Sequence, residues 1–528
     1  MRGYVLAVAA VLTLIAPAGS AFAASARSPA SFEIVETTVD DIHAAMKAGK
    51  LTARALVQMY IDRIEALDKK GPAINSVISL NPAALKEAER LDTAFKKSGL
   101  TGPLHGIPIL VKDEVDAAGM ATTLGTLVFK DYVTPRDAFA VESLRKQGAI
   151  ILGKTTLSEY AAGDTYGSMF GATKNPYALD RTAGGSSGGS GAALAANFAT
   201  LAIGEETSSS IRRPAAWGAL TSLRPTPGLV SRSGMWDGYP SPVAQMGPMA
   251  RTVKDLALML DGMVGYDPED PVTALGVGKH SGSYTQHLDA HGLKGARIGV
   301  LQESIGQASE PGSDDFKKVD AVFQKAVSEL RAAGATVVDP IVVPDLKKLH
   351  AITARDPETA DVALKLYLAR NPNGPFKSRE DIAKSPALSK SIPPSKADQW
   401  TQPLEKTDKV RYAEYVQARD QLMVNIANVM AANKLDAIVL KTVEHQPNLI
   451  KDGMYPPYKP TRGLINLNTF LVFTSVITVP AGFTTDDIPV GITFFGLAYS
   501  EPTLFKLAYA YEQTTHHRKP PASTPDLP

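Results

Sequence analysis

Apolar residues recur at roughly helical spacing from Thr38 to Leu67, at Ile42, Met46, Leu51, Leu56, Met59, Tyr60, Ile64 and Leu67, with charged residues between them. A period near 3.6 lays such a set along one face, so the stretch predicts two or three amphipathic helices leading into the fold. The pattern then changes. Continuous apolar runs at 106–113 (GIPILVKD) and 149–156 (AIILGKTT) have the length of buried strands, and they alternate with helical patterns at 138–148 (AFAVESLRKQG) and 190–204 (SGAALAANFATLAIG). Short buried strands alternating with helices predict a layered α/β sheet. Strand-like runs return at 436–440 (DAIVL), 471–481 and 488–496. The region from about 310 to 435 is richer in charge and in helical pattern, with a polar, Pro- and Lys-bearing stretch near 371–403 that reads as a surface insertion. Four prolines after Arg518 give residues 518–528 the look of a tail.

Composition narrows the function. The 528 residues are 44% hydrophobic and 21% charged, enough to bury a large core. Lys plus Arg number 55 against 54 Asp plus Glu, for a formal charge of +1 without a long basic block, which argues against a nucleic-acid partner. The opening MRGYVLAVAAVLTLIAPAGSAFAASA joins Arg2, an apolar run from Tyr4 to Ala16 and small residues around Ala21-Phe22-Ala23. That is the build of a signal peptide cut after about Ala23, and its apolar run is short of the roughly 20 residues that span a bilayer. A periplasmic or secreted protein with no membrane anchor after cleavage is expected. Cysteine is absent, which removes disulfides, thiolate nucleophiles and Cys-zinc sites. The nine histidines show no metal spacing beyond the adjacent pair His516-His517, so neither metal nor cofactor is called for.

Three segments carry candidate chemistry. Lys112 closes the run Ile107 to Val111, where burial favours the neutral amine and predicts a lowered pKa; alone, the same residue reads more readily as a snorkelling surface lysine. In 183–196 (AGGSSGGSGAALAA) glycines flank a serine pair and a helix-forming run follows, a place where backbone can crowd a reacting group or simply turn. Strand-like 199–204 then turns through EETSSS into IRRPAAWG. A loop between a strand end and a helix start aims backbone N–H groups one way, as an oxyanion hole requires, although an N-capping Ser/Thr cluster has the same look. Arg212 and Arg213 read as braces for that loop. The string Gly148 to Thr155 matches a phosphate loop, but its interior AIIL is a strand run, so nucleotide binding is set aside.

Together Lys112, GGSSGGS and SIRRP resemble the amidase signature family of Ser-Ser-Lys hydrolases. The likeness includes GPLHGIPILVKD at 102–113, DAFAVESLRKQGAIILGKTTLSEYA at 137–161, KNPYALDRTAGGSSGGSGAA at 174–193, GEETSSSIRRPAAWGALTSLRPTPGLVSRSG at 204–234, GPMARTVKDLALMLD at 247–261 and VITVPAGF at 476–483. It implies an α/β fold, a central mixed sheet covered by helices on both faces, in one large domain over 24–528. It implies Ser210 as nucleophile, Ser186, held by a cis peptide bond, as the bridging serine and Lys112 as base. Backbone N–H groups of Thr207, Ser208 and Ser209 would stabilise the oxyanion. Ser208 and Ser209 stand where the family usually carries glycines. Lys154 is expected to be structural. The resemblance further implies hydrolysis of a small carboxamide, anilide or peptide amide, with carbamates and esters open, by a monomer or homodimer. The alternatives are a solute-binding relative with impaired catalysis and an amidotransferase-type subunit. Substrate contacts are expected from the variable middle at about 310–435, from the stretch around Met235 to Met246, where Trp236 and Tyr239 could form an aromatic wall, and from Asn466 to Phe473.

Overall fold

An edge strand, β1 (Val77–Leu80), pairs antiparallel with β3 (Ile150–Thr155); β3 runs parallel to β2 (Pro108–Lys112), and β2 parallel to β4 (Leu201–Glu206). The structure is a computed structural model that describes residues 1, 3, 32–280, 282–353, 360–402, 409–465, 467 and 474–527. Residues 1–33 and 34–528 are separate units, and the expected signal segment, apart from residues 1 and 3, lies outside the described residues. Everything below concerns 34–528.

Every residue of β2, β3 and β4 is buried. That is why these strands read as continuous apolar runs: parallel strands with both faces covered have no solvent side to mark. Burial of each large aliphatic side chain there stabilises the fold by about 1.5–3 kcal/mol. The sheet continues through β5 (Thr221–Arg224), β6 (Gln245–Ala250), β7 (Arg297–Val300), β8 (Thr336–Val338), β9 (Ala437–Lys441), β10 (Thr474–Phe483) and β11 (Pro489–Leu497). Among the described residues it has eleven strands in the order β1-β3-β2-β4-β6-β5-β10-β11-β9-β7-β8. Both pairing senses occur, so the sheet is mixed as expected.

The entry segment forms α1 (Val39–Lys47) and α2 (Ala53–Arg63). A capping box starts α1: Asp41 N–H donates to Thr38 Oγ1 at 3.2 Å while Thr38 N–H donates to Asp41 Oδ2 at 3.0 Å. The helices α3 (Ala84–Ser98) and α4 (Phe139–Lys146) follow. The apolar helix α5 (Gly188–Ala195) is buried along its whole length against β2, β4, β6 and α6 (Arg212–Trp217). At Gly191 a Cβ would lie 2.8 Å from Pro214 Cβ, so glycine permits the approach of α5 to α6. Thr252 caps α7 (Val253–Met263), and α8 (Asp314–Ala332) packs on β10 and β11.

The insertion and the final prolines are both integrated. Tyr367, Ile382, Leu388 and Trp400 join Phe129, Tyr132 and Tyr160 in one buried cluster. The segment after Arg518, which reads as a tail in sequence, is held by Arg63, whose guanidinium donates to Pro525 O at 2.7 Å, and Thr524 is buried. Among the described residues, no helix is long and apolar enough to cross a membrane and no group of acidic or histidine side chains is arranged to hold a metal ion.

Candidate active site

β2 ends at Lys112, opposite Thr155 of β3, with β4 on its other side. The side chain is fully buried. Its Nζ lies 2.6 Å from Ser186 Oγ, 2.9 Å from Glu205 Oε2 and 2.6 Å from Glu114 Oε1. The Glu114 contact is a short ion-pair approach. Burial pushes the Lys112 pKa down, but the two carboxylates more than offset it and the net shift is upward. The expectation of a lowered pKa is thereby corrected: burial was legible from the strand pattern, whereas the pairing with Glu114 and Glu205 was not. Burial also holds the Glu114 carboxyl well above its ordinary range, against the pull of Lys112.

The serine-glycine loop leads into α5 and meets Lys112 through Ser186. Its Gly185–Ser186 peptide is cis. Ser158 N–H donates to Ser186 O at 3.1 Å, and Arg213 donates from Nε to Gly185 O at 2.9 Å. Ser187 Oγ donates to Glu205 O at 3.0 Å and Ser190 Oγ to Ile203 O at 2.9 Å, which pins the loop to β4. Ser187 N–H donates to Ser210 O at 3.2 Å, so the two serine loops are directly joined.

Glu206, the last residue of β4, shapes the second loop. Its Oε2 accepts from the N–H groups of Ile211 and Arg212, both at 3.0 Å, at the start of α6. Arg212 pairs with Glu206 at 2.8 Å and donates to Ser208 O at 2.7 Å. Arg213 pairs with Asp164 at 2.8 Å. Both arginines brace the loops. Thr207 Oγ1 donates to Glu205 Oε1 at 2.9 Å. Among the described residues, no group accepts a hydrogen bond from the backbone N–H of Thr207, Ser208, Ser209 or Ser210, and no hydrogen bond joins the Ser210 and Ser186 hydroxyls. All four of these loop residues line a cleft of about 520 Å³, together with Glu114, Tyr160 to Gly163, Glu205, Arg213, Trp236, Asp237, Gln307, Pro460, Thr461 and Leu464.

Trp236 reaches this cleft, as expected of the 235–246 stretch. Tyr239 instead lines a separate cavity of about 390 Å³, with the Arg232 guanidinium 5.6 Å from its ring centre. Of the stretch 466–473 only Leu467 is described, and the rest lies outside the described residues. Lys154 pairs with Asp113 at 3.1 Å inside β3, which is a strand and no phosphate cradle. His517 pairs with Glu329 at 2.8 Å. Sequence reasoning missed Glu114, Glu205 and Asp164. The only available signal was Glu114 two residues beyond Lys112, on the same side of an extended chain.

Comparison with known proteins decides the family. The model of the Amidase family matches residues 55–505. The chain belongs to the amidase signature family of amide-hydrolysing enzymes. It is 33% identical to a probable amidase of Arabidopsis thaliana, over 96% of this chain and 95% of that protein. It is 32% identical to a glutamyl-tRNA(Gln) amidotransferase subunit of Thermosynechococcus vestitus, over 92% and 99%. Among solved structures, the native peptide amidase from Stenotrophomonas maltophilia superposes on this amidase with a TM-score of 0.80 and 35% identity, covering 92% of this chain and 98% of that one.

Proposed function

We propose that this amidase is an exported enzyme that cleaves small carboxamides, anilides or peptide amides through an acyl-enzyme on Ser210. The observation that carries the reading is the 2.6 Å contact of buried Lys112 Nζ with Ser186 Oγ, beside a cleft wall that contains Ser210. Ser186 relays the proton of the Ser210 hydroxyl to Lys112 as Ser210 attacks the carbonyl carbon. Ser210 turns toward Ser186 to complete that relay, a hydrogen bond that tightens once substrate is bound. The free N–H groups of Thr207, Ser208 and Ser209 receive the developing oxyanion. The same relay returns the proton to the departing amine, and water then cleaves the ester. Serine side chains at 208 and 209 leave these backbone donors in place.

The likeness to a peptide amidase makes C-terminal peptide amides the first substrates to try. Carbamates and esters offer the same nucleophile a comparable carbonyl. An amidotransferase-type role draws support from the similarity to amidotransferase subunits; the leader-like N-terminus and near-neutral charge argue for a freestanding exported hydrolase. Binding without hydrolysis is the remaining alternative. The test is ammonia or amine release from a panel of peptide amides, anilides and small carboxamides, with Ser210→Ala as control. Turnover that disappears in Ser210→Ala supports the reading, whereas turnover that survives in the folded variant refutes it. Export is tested by cell fractionation and the intact mass of the mature chain, expected to begin near Ala24.

A further inference from the structure

The ammonium of Lys112 is met on three sides, by Ser186 Oγ at 2.6 Å, Glu205 Oε2 at 2.9 Å and Glu114 Oε1 at 2.6 Å. A primary ammonium has three N–H donors, so a protonated Lys112 has no lone pair left to accept a proton from Ser186. The two acids are not equivalent. Glu205 is tied on both oxygens, to Lys112 and to Thr207 Oγ1. Glu114 meets Lys112 Nζ at 2.6 Å without a second tie like the one Thr207 gives Glu205; it is 1% exposed and lines the cleft.

We propose that Glu114 is the acid that makes Lys112 a base, taking one Nζ proton onto its carboxylate to leave a neutral amine beside a neutral carboxylic acid. This rests on the Ser210-Ser186-Lys112 reading above. The step is balanced within the pair: an N–H bond breaks, an O–H bond forms, and no proton leaves the site. The freed lone pair on Nζ then accepts the Ser186 proton as Ser186 takes that of Ser210. Glu114 acts through Lys112 and touches no substrate atom in this scheme. Burial favours the neutral form of both the Glu114 carboxyl and the Lys112 amine, while the attraction between the two favours the charged pair. The charged groups acting on Glu114 are Lys112 on β2 and Glu205 on β4. Asp237, next to Trp236 whose N–H donates to Glu114 O at 2.9 Å, lines the same cleft.

The pH dependence of kcat/KM separates this role from that of a simple counter-ion. In the wild type the acid limb should lie well below the ordinary lysine range, because the pair activates without losing a proton to solvent. A wild-type profile that keeps climbing past about pH 10 overturns the proposal without any variant. In Glu114→Gln the carboxylate acceptor is gone, and with Glu205 tied as an anion to Lys112 and Thr207 the variant must lose the Lys112 proton to solvent. Its acid limb should therefore rise by at least about one pH unit, with activity at pH 7 down roughly tenfold or more and regained at high pH. A counter-ion predicts the reverse, since removing a carboxylate eases deprotonation. An unshifted or lowered limb in folded Glu114→Gln overturns the proposal. Glu205→Gln is the control and should not raise the limb; if it does so as much as Glu114→Gln, the assignment to Glu114 falls. Phosphonofluoridate labelling of Ser210 across the same pH range keeps the underlying reading separate: Lys112→Ala labelling at the wild-type rate would refute Lys112 as base, whatever the glutamates do.

Discussion

Arg213 joins Asp164 at 2.8 Å and, from the same guanidinium, donates to the carbonyl of Gly185, one half of the cis peptide that presents Ser186. One buried cation therefore ties the cleft wall at 163–164 to the serine-glycine loop. A lysine keeps the charge but lacks the planar fork, so it cannot hold both partners in this geometry. Arg213→Lys should lower kcat by about tenfold or more, the scale of one lost charge-assisted hydrogen bond, as read by steady-state kinetics. Arg213→Ala should also destabilise the fold by about 3–5 kcal/mol in urea unfolding, because Asp164 is left as a buried unpaired charge.

Ser186 is the group in hydrogen-bond contact with Lys112 on the path to Ser210. Ser186→Ala should reduce kcat by on the order of 10²–10⁴-fold with KM little changed, since it removes proton transfer and leaves the cleft intact. Kinetics on protein with a wild-type circular dichroism spectrum checks this.

Lys396, from the insertion, donates to Glu159 O and Ala162 O, both at 2.7 Å, and so holds the cleft wall. Burial pulls its pKa down to about 8, only partly opposed by Glu159 and Asp164. Below pH 8 both folded and unfolded states carry the charge, and the folded state bears the full burial cost. Between about 8 and the ordinary 10.5, the folded state has released a proton that the unfolded state keeps, so stability rises with pH. The urea midpoint of the wild type relative to Lys396→Met should accordingly increase across that window. A difference independent of pH would contradict a buried charge here.

Trp236 lines the cleft and meets Phe129 at 5.4 Å and Trp400 at 5.8 Å between ring centres. Trp236→Ala should raise KM for anilides and bulky peptide amides by about tenfold and change KM for a short aliphatic amide less, as lost apolar contact does. Parallel kinetics on the two substrate classes would show equal effects if Trp236 only supports packing.

What the sequence made legible follows from physics that acts locally. The fully covered strands β2, β3 and β4 show as uninterrupted apolar runs, and α5 shows as an alanine-rich run after glycines. Lys112 and Ser186 could be paired from sequence only through family resemblance, because they lie 74 residues apart. Glu205 escaped notice for a different reason. Its approach to Lys112 depends on the parallel register that sets Val111 beside Ile203, and no single segment encodes that register. Asp164 depends likewise on how residues 159–164 meet Arg213 of α6, and Lys396 on how the insertion folds back over residues 159–162. The 371–403 stretch reads as polar surface, yet Ile382, Leu388 and Trp400 inside it are core residues spaced too irregularly to reveal a period.

The most direct test of the central claim is peptide-level mass spectrometry of the mature protein after reaction with a serine-directed phosphonofluoridate, with Lys112→Ala in parallel. One adduct is predicted, on Ser210, formed at least about 100-fold more slowly in Lys112→Ala. An adduct on Ser208 or Ser209 instead, no adduct at all, or labelling of Ser210 that ignores the loss of Lys112 would contradict it.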